Sequence, residues 1–250
     1  MPDSKYCYAN SDVLINKLGI TDGSELFQAE KQLTFIRLTE LQNMPIEGDF
    51  NFEHLKSIHK YIFQDLYEWA GEVRTVEIGK GNLFCTTPCI DSFAESVFGR
   101  YLESCKEAKN SKKKFVKVFA ENYGDLNALH PFREGNGRTQ REFARLVCRE
   151  CGFAFDLSVT THKEMLEASI QSFDHGDNSG LEKIFMQAVT SIEEAANKVD
   201  EKNLGILTAD DLKIPYDNEL YYDYYSYEEH EKMSEHNQKY LERIDEINSR

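Results

Sequence analysis

The chain has 250 residues, 40% of them hydrophobic and 12% aromatic, which is enough to bury a substantial core and too apolar for wholesale disorder. Twenty-nine basic residues against 44 acidic ones give a formal charge of -15. Such a charge repels phosphate backbones and anionic lipids, so neither nucleic acid nor membrane is an expected partner.

From Glu25 to Gln42, Leu26, Leu33, Ile36 and Leu41 recur among charged residues, a spacing that predicts an amphipathic helix. A second helix is predicted from Phe52 to Tyr67, with Leu55, Ile58, Ile62 and Leu66 on one face and Gly71 closing it. Between Glu72 and Ile90 the pattern changes. Val73, Thr75 and Glu77 alternate with Arg74, Val76 and Ile78, then Gly79-Lys80-Gly81-Asn82 precedes the β-prone Leu83-Phe84-Cys85. This predicts a hairpin over about 72–90, the one hairpin the sequence announces.

Helical periodicity resumes over Asp91–Cys105 and over Lys112–Leu129, where Phe115, Phe119, Tyr123, Leu126 and Leu129 line up. Further helices are predicted over Arg138–Cys151, His162–Ser172 and Gly180–Lys198. The body, residues 1–198, therefore reads as all-α with a β-hairpin. Residues 198–250 hold 14 acids against 7 bases and 7 of the 13 tyrosines. This segment reads as an acidic, Tyr-rich extension over 199–250, wrapped on the body or ending in a short helix from Glu228 to Ile247.

Six cysteines at irregular spacing do not make a disulfide scaffold, and Cys148 and Cys151, at C-x-x-C spacing in a helical run, read as core packing. His54 and His59 lie five apart on a predicted helix, poor spacing for one metal, and read as structural. The opening Met-Pro-Asp-Ser-Lys has no apolar stretch of the signal-peptide kind, and no run approaches the ~20 apolar residues that span a bilayer. A cytoplasmic protein is expected, with delivery into another cell left open.

The chemistry concentrates in His130-Pro131-Phe132-Arg133-Glu134-Gly135-Asn136-Gly137-Arg138-Thr139-Gln140-Arg141. Pro131 stops the preceding helix, and two glycines let the backbone fold tightly before the next helix begins. The new helix N-terminus, with Gly135 to Gly137, is an anion site whose dipole contributes about 0.3–1 kcal/mol per charge. Arg138 and Arg141, three apart on one helix face, suit a polyphosphate. Glu134 beside a phosphate calls for a cation between them, and Mg²⁺ accepts one or two carboxylates along with phosphate oxygens and water. His130, at the exit of its helix, is placed to take a proton from an incoming hydroxyl, a role worth a factor of ~10² to 10⁴ in rate. The set reads as nucleotidyl or phosphoryl transfer.

This stretch resembles the signature of the Fic family, His-Pro-Phe-x-Asp/Glu-Gly-Asn-Gly-Arg-x-x-Arg, with every specified position matched. The likeness runs roughly from Tyr8 to Lys198, including Asn16 to Ile20, the helix through His54 and His59, and Tyr67-Glu68-Trp69-Ala70-Gly71 followed by Arg74. It implies an all-α Fic fold whose hairpin is a flap, where Lys80, Gly81 and Phe84 align a target segment by strand addition. It implies that His130 activates a hydroxyl of a target protein and that Glu134 holds Mg²⁺ at the α- and β-phosphates of ATP. Gly135, Asn136 and Gly137 would cradle phosphate, with Arg138 toward the β-phosphate, Arg141 toward the γ-phosphate and Phe132 anchoring the loop.

The implied activity is protein adenylyltransfer, moving AMP from ATP onto Tyr, Thr or Ser with release of pyrophosphate. Removal of AMP at the same site and a nucleotide-binding module with vestigial catalysis are the alternatives. The family's inhibitory Ser/Thr-x-x-x-Glu-Gly/Asn motif has no strict match. Thr21 with Glu25, Thr160 with Glu164 and Thr190 with Glu194 have the spacing, but Leu26, Met165 and Ala195 follow. Inhibition is expected from a separate antitoxin-like protein, and the tyrosines between Tyr216 and Tyr227 are candidates for self-modification. Oligomeric state is open.

Overall fold

A computed structural model describes residues 5–80 and 82–196. The extension over 199–250, with its tyrosines and the helix expected over 228–247, lies outside the described residues, as do Gly81 and the side chain of Lys80.

Helix α1 (Gly23–Asn43) begins where the Asp22 carboxylate accepts from the Glu25 N–H at 2.8 Å, satisfying one of the donors a helix start leaves open. Helix α2 (Phe52–Phe63) is capped the same way by Asn51, which accepts from the His54 N–H at 2.9 Å. It stops short of the expected Tyr67 in a turn in which the Leu66 and Tyr67 N–H groups both donate to the Phe63 carbonyl.

The hairpin over 72–90 forms only as β1 (Gly79–Lys80) against β2 (Asn82–Leu83), with Gly79 opposite Leu83. The alternating stretch before it is not a strand, because Arg74 takes over the bonding. Its Nε donates to the His130 carbonyl at 2.9 Å and its guanidinium NH groups to the carbonyls of Val76 and Cys85. Arg74 is 2% exposed, and it bonds these carbonyls in place of a ladder.

The single helix expected over 91–105 is two, α3 (Ile90–Phe98) and α4 (Tyr101–Ala108), broken at Gly99, where a residue without a side chain weakens the helix. Helix α5 (Lys112–Leu129) runs through the core as predicted, with Phe115, Phe119 and Leu129 fully buried. The chain continues as α6 (Asn136–Glu150), β3 (Phe153–Phe155), α7 (His162–His175), α8 (Ser179–Ala188) and β4 (Val189–Ser191). Helix α8 ends at Ala188, short of the expected Lys198, since Val189-Thr190-Ser191 pairs antiparallel with β3, Phe155 opposite Val189, and helix resumes over 192–196. This second sheet corrects the expectation of one hairpin. Its strands are separated by two helices, so no local pattern announces them.

Helices α4, α6, α7 and α8 surround α5, and α2 packs on α6. The fold is mostly helical, as the sequence led one to expect, and carries two minimal sheets where one was expected. Burial pushes the thiols of Cys105 and Cys148 up, and that of Cys151 to about 11. All three are packed, consistent with a role in the core. Among the described residues no helix is long and apolar enough to cross a membrane.

Candidate active site

Helix α5 ends at His130, whose backbone is left-handed, φ 42 and ψ 60. For a residue with a side chain this costs on the order of 1–2 kcal/mol, and the surroundings hold it in place. Besides the bond from Arg74 Nε, the Arg74 N–H donates to the Pro131 carbonyl at 2.9 Å and the Cys85 N–H to the Ala128 carbonyl at 3.0 Å. Downstream, Asn136 closes the loop on itself, accepting from the Phe132 N–H at 2.9 Å and donating to the Phe132 carbonyl at 2.7 Å. Its side chain therefore shapes the loop, leaving its backbone to the first turn of α6. Phe132 is fully buried and stacks on His59 at 3.8 Å between ring centroids.

His59 fastens the loop from below. Its Nδ1 accepts from the Gly71 N–H at 2.8 Å, so in the neutral ring Nε2 carries the proton and donates to the Glu134 carbonyl at 2.9 Å. Burial between Phe63 and Phe132 pushes its pKa down to about 3, with the Glu134 carbonyl opposing and the Arg138 charge assisting. The unfolded chain takes up this proton near pH 6.5 and the folded one only near 3, so the stability tied to neutral His59 is complete above pH 6.5 and lost as pH falls toward 3. Thermal unfolding followed across that interval is expected to show a falling midpoint. His59→Gln, which keeps a donor, should lower stability at neutral pH and flatten the acid slope. An equally steep slope in the variant would assign the acid loss to other groups.

The His130 ring has Nδ1 3.1 Å from the Asn127 carbonyl oxygen. A carbonyl only accepts, so Nδ1 holds the proton of the neutral ring and the basic lone pair lies on Nε2. Phe84, from the flap, stacks on this imidazole at 3.7 Å with an interplanar angle of 8°, and packs against Phe173 of α7 at 4.8 Å. Phe84 is buried and covers the His130 ring. The flap tip is tied to α7 as well, where Asn82 donates to Asp174 at 2.7 Å.

Gly135 caps α6 at φ +79, and the Glu134 carboxylate accepts its N–H at 2.8 Å. The first turn of α6, like that of any helix, offers N–H groups without intrahelical acceptors. Arg138 and Arg141 follow on α6 and both are buried. Arg138 lies over the Phe63 ring at 4.7 Å and its NH2 is 2.5 Å from Glu30 and 3.5 Å from Glu134.

Among the described residues no group of three or more His, Cys, Asp or Glu could hold a metal. Glu134 supplies a single, partly exposed carboxylate. That donor set fits a hard cation that draws its other ligands from phosphate and water, such as Mg²⁺, and does not fit a caged metal.

Sequence reasoning brought His130, Phe132, Glu134 and Gly135 to Arg141 into one loop, and the structure sets Phe84 against them. It missed Glu30, two helical turns beyond the capped start of α1, and the bracing roles of Arg74 and His59. The spacing of Glu30 and Thr34, four apart with Thr34 fully buried, was the available signal: polar residues on the core face of an amphipathic helix. His54 is structural as expected, accepting from the Phe50 N–H at 3.3 Å.

Residues 49–148 match the model of the Fic/DOC family. The chain is 38% identical over 169 residues to a probable protein adenylyltransferase, y4lH, of Sinorhizobium fredii, covering 67% of this chain and 86% of that protein. It is 36% identical over 202 residues to the protein adenylyltransferase VbhT of Bartonella schoenbuchensis, covering 80% of this chain and 42% of that protein, so it spans less than half of VbhT. Among solved structures, the N-terminal Fic domain of a putative cell filamentation protein from Bartonella quintana, with bound ADP, superposes with a TM-score of 0.72 at 26% identity, covering 79% of this chain and all of that one. With its left-handed histidine, its clamped loop and these relatives, the chain belongs to the Fic/DOC family.

Proposed function

We propose that this chain is a protein adenylyltransferase that moves AMP from ATP to a hydroxyl side chain of a target protein. The observation that carries this reading is the left-handed His130, its Nε2 basic, standing at one end of the loop whose other end is the glycine-capped start of α6. The target hydroxyl gives its proton to His130 Nε2 as its oxygen attacks the α-phosphorus, and the bond from that phosphorus to the pyrophosphate oxygen breaks. Gly135 to Gly137, Arg138 and Arg141 receive the phosphates. Mg²⁺ at Glu134 would neutralise phosphate charge. The short strands of the flap, Gly79–Lys80 and Asn82–Leu83, would present backbone to an extended target segment, while Phe84 covers the base.

For regulation, Glu164 is engaged in a capping box with Thr161 and Glu194 accepts from the Ser191 N–H at 3.0 Å. Roles as helix caps support a separate small inhibitory protein over these internal glutamates. Residues 1–198 are the Fic domain in this reading, and the extension over 199–250 is a second part, with tyrosines open to self-modification.

The test is incubation of the purified chain with Mg²⁺ and ATP labelled at the α-phosphate, alone and with lysate proteins, read by intact mass. A gain of one adenylyl group on the chain or on a lysate protein supports the reading. Label incorporated only from ATP carrying the tag at the γ-phosphate would replace it with kinase chemistry.

A further inference from the structure

Behind the signature loop, Glu30, Thr34 and Tyr67 form a buried polar cluster that has no part in the chemistry assigned so far. Glu30, on α1, places one carboxylate oxygen 2.5 Å from Arg138 NH2, and its other oxygen accepts from the Tyr67 hydroxyl. The Thr34 hydroxyl, one turn along α1, is 3.2 Å from Arg138 NH1. Arg138 is 3% exposed and the Glu30 side chain 13%. On the other flank Glu134 stands 3.5 Å from the same NH2. Two carboxylates thus compete for one guanidinium, and the distances decide for Glu30. A charge-assisted bond at that length is far stronger than an approach at 3.5 Å, and the phenol of Tyr67 fixes the carboxylate in its place.

We propose that Glu30 is a positioning residue for nucleotide binding: it anchors Arg138 to α1, fixing the guanidinium where a phosphate meets it and keeping it off Glu134. This rests on the reading of Arg138 as a phosphate contact. Without the Glu30 charge, the guanidinium closes the gap to Glu134, and the pair that forms withdraws both groups from the ligand. The sign is diagnostic. Removing a negative charge near a polyphosphate, with no positioning involved, tightens binding. Loss of the anchor weakens it.

The experiment is a double-mutant cycle read by calorimetric binding of Mg²⁺·ATP to the full chain: wild type, Glu30→Gln, Arg138→Ala and both together. Glu30→Gln is expected to weaken binding about tenfold, and in the Arg138→Ala background to have no further effect, since Glu30 acts through Arg138. Tyr67→Phe, which keeps the ring and removes the donor, should weaken binding in the same direction by less. It serves as the readout if Glu30→Gln does not fold. Tighter or unchanged binding in Glu30→Gln overturns the proposal, as do effects that simply add. A folded wild type that binds no ATP would overturn the nucleotide reading itself, a result distinct from additivity.

Discussion

Replacing His130 by alanine is expected to lower AMP transfer by a factor of ~10² to 10⁴, the usual worth of a general base, while the chain still binds ATP. The ring's Nδ1 is committed to the Asn127 carbonyl and its backbone carbonyl to Arg74, so the imidazole is held in one tautomer and one place. Alanine also removes the partner of Phe84, stacked at 3.7 Å, and has little tolerance for φ 42. His130→Asn separates these effects, because asparagine accepts the left-handed region several-fold more readily than most residues. Both variants should lose transfer, while Asn should retain more of the thermal stability. Single-turnover transfer and thermal unfolding, measured side by side, check this. Transfer within about a factor of ten of wild type in the Asn variant would move the base elsewhere, since a general base contributes more than that.

Gly135→Ala is expected to damage both fold and function. A Cβ at this position would lie 2.0 Å from Phe63 Cζ and 2.2 Å from Cε2, and φ is +79. Neither partner can yield cheaply. Phe63 is fully buried, stacked with His59 at 4.7 Å and lying under Arg138. Overpacking and left-handed strain together should cost about 2–4 kcal/mol. The displaced Phe63 would press on the His59 that supports Glu134 and on Arg138, the proposed phosphate contact. A lowered unfolding midpoint together with weaker ATP binding is the expected result. Adding Phe63→Leu should recover part of both, as the smaller side chain leaves room for the methyl group. A Gly135→Ala variant as stable as wild type would mean that the loop can shift away from Phe63 without strain.

The sequence by itself determined the helical body, the course of α5 and the make-up of the signature loop. Those features are local. Phe115, Phe119, Tyr123, Leu126 and Leu129 repeat with the period of a helix, and Pro131, Gly135 and Gly137 punctuate the chain wherever they occur. Only the tertiary structure decided what holds that loop. Arg74 looks like one member of an alternating strand, yet its guanidinium bonds carbonyls at Val76, Cys85 and His130. His59 reads as any core histidine, yet it joins Gly71 to Glu134. Glu30 is one acid among 44, and it becomes the partner of Arg138 only once α1 packs beside α6. The sheet of β3 and β4 was hidden for the same reason. Pairings between distant segments depend on which faces meet in the folded chain, and a pattern of neighbouring residues carries no record of that.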